Sequence, residues 1–554
     1  MFRERDPQHN LFETSNLIPR TKAKRLEKSW AEAFRNQALP LIDENLFAPM
    51  YCEDNGRPNT PVQIVFGTLL LKEMFDLTDD DCLEQLEFNL LWQHALRLTP
   101  EEAHLCQKTL HNFRSRMMEH EIARLAFQKT TDQIIEALGV KVNRQRLDST
   151  HIVSNIATLT RLGLLCETIR VFLSKLKSEH LKLFKQVPVG ILGRYLKEDG
   201  TPSRYGDAAS GSARRRISVC GRDLYRLIDR FRGTSAACLE EYDLLKRIFE
   251  EQCEVLQHKA NPKDDDDDSD EGGVPVRLKE PKEVSSESLQ TPHDPDVTYS
   301  GHKGKGYEVQ VAETCDEENE VQIITDVEVT DSCDGDSCAT IPIIEGLIER
   351  DIQPEELSAD TAYGSGSNAV EAEKLGTKLI SPVGGSVPEE ENLSEEDRPL
   401  TAADFSIDPS YQRPTVCPGG HESIEEREDK ESSNKVEIHF AQQVCEACPL
   451  FSRCPAKLNR EEKAYVLKAN LVKVNIEQRR RIEASEEFSS RYDIRAGIEA
   501  TNSEMKRKHG LGRLRIRGRP RVELVVFMKT LACNFKRMVR YLILPKPEMI
   551  PVEG

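Results

Sequence analysis

Near the C-terminal end of the chain, Tyr492, Arg495, Glu499 and Lys506 stand at offsets of 0, 3, 7 and 14. On a helix turning about 100° per residue, these four side chains fall within roughly 60° of one another. One phenol, one carboxylate and two cations then share a narrow face. A solvated helix scatters its charges or pairs them at i,i+4. This stripe instead has the chemistry to hold a phosphate beside a metal-binding acid.

The spacing resembles the Tyr-x2-Arg-x3-Glu-x6-Lys signature of DDE transposases from bacterial insertion sequences, the cut-and-paste class with a ribonuclease H-like core. That resemblance demands two upstream aspartates, each at the end of a core strand. Residues 140–152 alternate and are rich in β-branched residues, which predicts a strand carrying Asp148 in the string Asp-Ser-Thr-His. Such a string taken alone is usually a turn or cap. Residues 305–312 and 321–329 alternate and predict a hairpin. A helix over 337–350, a short strand ending at Asp360, a helix over 368–375 and a strand over 378–382 follow. Strand, strand, strand, helix, strand, helix, strand is the order of the ribonuclease H-like fold, and the Ala-Asp-Thr-Ala-Tyr-Gly string at 359–364 is similar to its family counterpart.

The resemblance implies that Asp148, Asp360 and Glu499 are catalytic and hold two Mg²⁺ ions, with Mn²⁺ as a substitute and Asp148 shared between them. Arg495 and Lys506 would clamp phosphates, and Tyr492 would bind a phosphate or steady a displaced base. The implied partner is double-stranded DNA, both terminal inverted repeats and target, bridged by a homodimer. The rival expectation is a catalytically silent, transposase-derived DNA-binding regulator.

Composition constrains the rest. The 554 residues carry a formal charge of -19, which argues against a chain coated in nucleic acid. Residues 491–541, however, hold 14 Lys or Arg against 4 Asp or Glu, so +10 is concentrated there. Arg513, Arg515 and Arg517 belong to that stretch and are expected to touch DNA. No run of 18 apolar residues exists to span a bilayer. The charged start, Met1-Phe2-Arg3-Glu4-Arg5-Asp6, lacks the apolar core of a signal peptide, so a cytoplasmic, nucleoid-associated protein without membrane contact is expected.

The expected organisation begins with a helical DNA-binding domain over 1–135. Within it, Thr60-Pro61, Thr78, Thr99-Pro100 and Thr109 mark helix starts, Phe113, Met117 and Met118 face inward, and Arg114 and Arg116 face outward. Taken alone, these segments fit a plain helical bundle better than a DNA-binding one, and the resemblance implies the DNA-binding role. The first core strand follows in 136–158, then a helical insertion in 159–260, an acidic disordered linker in 261–298 and the remaining core strands in 299–385. The linker opens with the run Asp264-Asp265-Asp266-Asp267-Asp268. Between Asp360 and Glu499 lie 138 residues, too many for a loop, so a β-rich insertion is expected over 386–475. It contains Cys417, Cys445, Cys448 and Cys454, four thiols suited to a closed structural Zn²⁺ site, with His421 as a competing ligand and free thiols as the alternative. The catalytic helix and basic region close the chain in 476–545. The fold class expected is thus α/β, a ribonuclease H-like mixed sheet with one helical and one β-rich insertion.

Overall fold

The computed structural model describes residues 1–5, 18–52, 58–197, 199–207, 210–256, 276–385, 398–429, 432–483 and 485–544. The N-terminal region is helical: α1 (Val62–Met74), α2 (Asp79–Phe88), α3 (Gln107–Glu119) and α4 (Ile122–Leu138) follow several short helical turns. Thr78 and Asp81 cap α2 reciprocally, as the Thr-Asp-Asp-Asp string predicts. Helix α1 buries Val62, Val65, Phe66, Leu69 and Leu70, which recur at helical spacing. Three expectations fail here. Thr99 and Glu102 exchange capping-type hydrogen bonds of 3.0 and 3.3 Å, but no helix continues, because Ala103 and Leu105 turn into the core instead. Arg114 does not face solvent; it grips Asp79 at 2.8 Å and ties α3 to α2. Thr109 falls inside the first turn of α3, whose cap position is Cys106.

The central sheet is mixed. Strand β1 (Arg144–Ile152) leads into an insertion of helices α5 (Arg161–Glu179), α6 (Ser210–Phe231) and α7 (Glu240–Gln252). These close a separate core around Leu165, Ile169, Phe172, Leu224, Leu227 and Phe231. A two-stranded ribbon, β2 (Cys253–Val255) with β3 (Val276–Leu278), follows the helices. The acidic run 264–271 lies outside the described residues. Residues 276–298 of the expected linker are packed, which corrects the expectation for that part. Ser288, Leu289, Gln290, Thr291 and Asp294 are buried, and Asp294 accepts hydrogen bonds from Tyr307 at 2.7 Å and Ser154 at 2.5 Å. A polar segment can pack when its side chains bond the neighbouring core strands.

Strands β4 (Thr298–Ser300), β5 (Gly304–Thr314) and β6 (Ile324–Asp331), helix α8 (Thr340–Glu349), strand β7 (Glu356–Ala359), helix α9 (Gly366–Lys374) and strand β8 (Lys378–Ile380) complete the core. Its strand order is β4-β5-β1-β7-β8, with β6 also paired to β5. Strands β5 and β6 form the predicted antiparallel hairpin, β1 runs antiparallel to β5, and β7 runs parallel to β1. This mixed α/β arrangement is compatible with a ribonuclease H-like core.

Strands β9 (Glu425–Asp429), β10 (Ser432–Ala441), β11 (Lys457–Asn459) and β12 (Ala464–Asn470) form a second sheet over Phe405, Ile438, Phe440 and Leu467. Helix α10 (Leu471–Glu483) returns to the core, followed by α11 (Glu486–Asp493), α12 (Gly497–Lys508) and the long α13 (Arg519–Ile543).

Helix α13 joins the N-terminal helices to the sheet. It packs on α1, α4 and β6, with Phe527 stacked on Phe127 and Phe535 tilted against Phe34. Its one buried amide, Asn534, accepts from the Ile324 N–H at 3.0 Å and donates to the Ile324 carbonyl at 2.8 Å. Replacing Asn534 with Leu leaves both backbone groups buried and unpaired. The expected cost is about 2–4 kcal/mol, read from the urea midpoint, and a change under about 0.5 kcal/mol would refute this role.

Candidate active site

The register of the parallel pair places the first two acids. Leu147 on β1 lies opposite Ala359 on β7, so Asp148 and Asp360 are the next residues on adjacent strands. Adjacent strands sit about 4.8 Å apart, close enough for two carboxylates to share a ligand. Asp360 begins a turn in which its side chain accepts from the Ala362 N–H at 2.8 Å. Gly364 ends that turn because nothing larger fits: a Cβ there would stand 1.9 Å from the Ser381 hydroxyl oxygen.

The third acid arrives on a helical path that differs from the single helix predicted. Tyr492 ends α11, Arg495 lies in a tight 3-10 turn (Ile494–Ala496), and Glu499 and Lys506 lie on α12. The tightening has a local cause, since the Arg146 guanidinium takes the Ile494 carbonyl at 2.9 Å and draws it toward the sheet. Contact is so close that a Cβ at Gly497 would meet the Arg146 guanidinium at 2.0 Å.

The three acids meet at one cation. Arg495 reaches Asp148 at 3.2 Å, Asp360 at 3.9 Å and Glu499 at 3.7 Å. Asp148 and Arg495 are largely buried, at 15% and 16% side-chain exposure, while Glu499 at 70% stands at the open rim. Burial raises the Asp148 carboxyl above its ordinary range, with Asp360 adding to the rise and Arg495 opposing it. The Arg495 guanidinium is held above its ordinary value, because Asp148 and Asp360 outweigh its burial. The three acids converge on the guanidinium, which occupies the position of positive charge among them, and their oxygens do not all lie within 4.8 Å of one another.

Several groups that the sequence did not single out build this site. Asn502 donates to the second Asp148 oxygen at 3.1 Å, orienting the carboxylate. Fully buried Glu313 on β5 lies 2.5 Å from both Arg146 and Arg537 and accepts from Thr501 at 2.6 Å, fixing α12 to the sheet and to α13. Arg146 shares a strand face with Asp148 two residues on, which is the one sequence signal that could have found it. A further close set, Glu504, His509 and Cys533, has its ligand atoms within 4.8 Å of one another. Glu504 is committed to Arg537 at 3.1 Å, and burial lowers the His509 imidazole to about 4, so it stays neutral and donates to the Glu73 carbonyl.

The other expected residues divide. Tyr492 stacks on Phe488 beside the site, and burial raises its phenol above the ordinary value. The Lys506 ammonium is lowered by partial desolvation, with Glu308 and Asp148 opposing. Residues 512–516 run alongside 153–155 as an irregular extension of β1, which exposes Arg513, Arg515 and Arg517 in alternation. Arg515 bonds the Asp76 and Leu77 carbonyls at 3.1 Å and ties this segment to the N-terminal helices. In the β-rich insertion, Cys417, Cys445, Cys448 and Cys454 influence one another: burial and the neighbouring thiols push Cys445 up to about 11. The His421 N–H points at the Cys417 sulfur at 3.4 Å, and a Cβ at Gly419 would crowd Cys448 at 3.0 Å.

Two family models match the chain: one described as "Transposase DDE domain" over residues 416–539, and one described as "Transposase domain (DUF772)" over residues 24–116. No curated protein and no solved structure matches it. No helix among the described residues is long and apolar enough to cross a membrane.

The electrostatics set a sign. Well below the ordinary aspartate value Asp148 is protonated whether the chain is folded or not; as pH rises through that value the folded chain keeps the proton longer, so this group's contribution to stability falls as pH climbs. Carboxyl-carbon NMR should find Asp148 titrating above the ordinary aspartate range, and higher still in Arg495→Met. An unchanged titration in that variant would mean that the guanidinium does not neutralise the acids.

Proposed function

We propose, since the chain belongs to the DDE transposases of insertion elements, that it cleaves DNA strands at the ends of a mobile insertion sequence and transfers the freed ends to target DNA. The observation that carries this reading is the convergence of Asp148, Asp360 and Glu499 on the Arg495 guanidinium. Asp148, Asp360 and Glu499 would hold two Mg²⁺ ions, or Mn²⁺ in their place, which supply charge relief at the scissile phosphate and activation of the attacking water or 3′-hydroxyl.

The chain's own residues do the rest. Asn502 keeps one Asp148 oxygen engaged and so fixes the direction of the other. Arg495, once relieved of its carboxylates, presents a planar fork matched to a phosphate. Tyr492, with its phenol held protonated by burial, would donate a hydrogen bond to a phosphate at the rim. Lys506 adds a cation one face along α12. Arg513 and Arg517, exposed beside the site, would contact the DNA backbone, and the N-terminal helices of residues 1–135 would bind the terminal repeats. Two protomers would bridge two DNA ends, and a nucleoid location follows from that substrate. The domain boundaries drawn from the sequence are part of the same proposal.

In the β-rich insertion, Cys417, Cys445, Cys448 and Cys454 would hold a structural Zn²⁺. The influence of the neighbouring thiols on Cys445 and the N–H donated to Cys417 favour a thiolate set, and a four-stranded sheet with a small core gains most from such a staple. Metal analysis should find about one zinc per chain. Cys448→Ser should lose that ion and melt earlier, whereas a parent chain purified without zinc and melting as the variant does would discard the site.

The function itself is tested on DNA carrying the element's ends. The parent should cut in a Mg²⁺-dependent manner, and Glu499→Gln should lower the rate by at least about a thousandfold, since one of three metal-binding acids is lost. Tight binding by the parent without cleavage would instead favour the silent regulator, and cleavage indifferent to Glu499→Gln would remove the site assignment.

A further inference from the structure

Helix α6 (Ser210–Phe231), in the insertion after β1, has two unlike faces. Cys220, Leu224, Leu227 and Phe231 are buried in the insertion's core. At offsets of 0, 7, 11 and 15, Arg215, Arg222, Arg226 and Arg230 fall within about 80° of one another on the opposite side. Arg215, Arg222 and Arg230 are exposed and Arg226 is half-buried.

Several arginines elsewhere in this acidic chain are paired with acids. Arg114 holds Asp79, Arg194 holds Asp223, Arg350 holds Asp132 and Arg537 holds Glu313. The four on α6 make no ion pair or hydrogen bond among the described residues. Of the helix's two acids, Asp223 is turned inward onto Arg194 and Tyr195, and only Asp229 flanks the stripe. Four adjacent guanidiniums without an acid partner among the described residues repel one another. Such a stripe persists where its partner is a separate polyanion.

We propose that this face of α6 binds the phosphate backbone of duplex DNA, as a contact surface distinct from the catalytic pocket and from the basic segment at 513–517. The proposal rests on the reading of the chain as a DNA-processing enzyme. From Arg215 to Arg230 the helix rises about 22 Å, the axial length of roughly six base pairs. Guanidiniums 4 and 7 residues apart project from successive turns, spaced to meet separate phosphates. Contacts of this kind position DNA without reading its sequence, so the surface suits the flanking or target duplex, which lacks the terminal repeat.

The test compares the full chain with a variant carrying Arg215→Gln, Arg222→Gln, Arg226→Gln and Arg230→Gln, both in the Glu499→Gln background so that the DNA stays intact. Binding to a labelled 30-base-pair duplex of arbitrary sequence is measured across a salt series without Mg²⁺. Each phosphate contact contributes about 0.9 to the slope of log K against log salt, so the variant should lose about 3–4 from the slope and bind at least about tenfold more weakly at low salt. Its melting temperature should be no lower than the parent's, because the replaced groups stand outside the core and their mutual repulsion is removed. A variant that binds with the parental slope overturns the proposal. So does one that keeps the slope but melts earlier, which would mean that the stripe serves the chain's own acidic run Asp264–Asp268. A parent chain that fails to bind duplex DNA at all removes both this surface and the function it rests on; binding by the parent with an unchanged variant removes the surface alone.

Discussion

A carboxylate without exposed surface, Glu313, is what keeps the late helix against the sheet. It lies between the guanidiniums of Arg146 and Arg537 and takes the Thr501 hydroxyl, so three structural layers converge on two oxygens. Burying a charge is costly unless its hydrogen-bonding capacity is filled, and here it is filled from β1, α12 and α13 at once. The consequence is positional. Arg146 also takes the Ile494 carbonyl, and the turn held there carries Arg495. Displacement of any member would move the guanidinium that Asp148, Asp360 and Glu499 share.

The parts of this arrangement legible from sequence are those set by local rules. The alternation around Asp148 and through 305–329 gives β1, β5 and β6, and Thr78 with Asp81 gives the start of α2. The four-residue stripe at 492–506 and the two aspartate strings led to acids that the structure brings to one arginine. What escaped is what depends on partners far along the chain. Glu313 looks like one more polar residue of a strand, and only its burial against Arg537, 224 residues away, gives it meaning. The break in the predicted helix has the same origin, because Arg146 diverts the Ile494 carbonyl from 348 positions upstream. The failed helix start at Thr99 shows the converse: a satisfied cap does not make a helix when the following apolar side chains are claimed by the core.

Net charge was a poor guide for a related reason. An excess of acids over the whole chain says little about a surface, because many acids are spent on particular arginines. What a polyanion meets is the residue left after such pairing. Arg515 belongs to the basic C-terminal stretch yet is occupied with Asp76, whereas Arg513 and Arg517 on either side stand exposed. Counting charges by segment overstates the first and misses the difference in kind.

Two of the acids are separated by 138 residues that include a second sheet, and yet they meet within reach of one side chain. Loop closure alone would fix nothing at that distance, since its entropic cost grows only slowly with length and it specifies no geometry. The precision comes from where the insertion re-enters. Arg479 on α10, itself buried, donates to the Gly364 carbonyl at 3.0 Å and the Ser381 carbonyl at 2.7 Å, and Ser381 in turn donates to the carbonyl of Asp360. The chain leaving the insertion is thereby bonded to the same turn that holds the second acid, before it proceeds through α11 to the third. Placement of Glu499 relative to Asp360 is set by these few buried bonds and not by the length of chain between them. The insertion can then vary in size and carry a fold of its own without disturbing the site, provided that Arg479 and the two carbonyls it grips are kept.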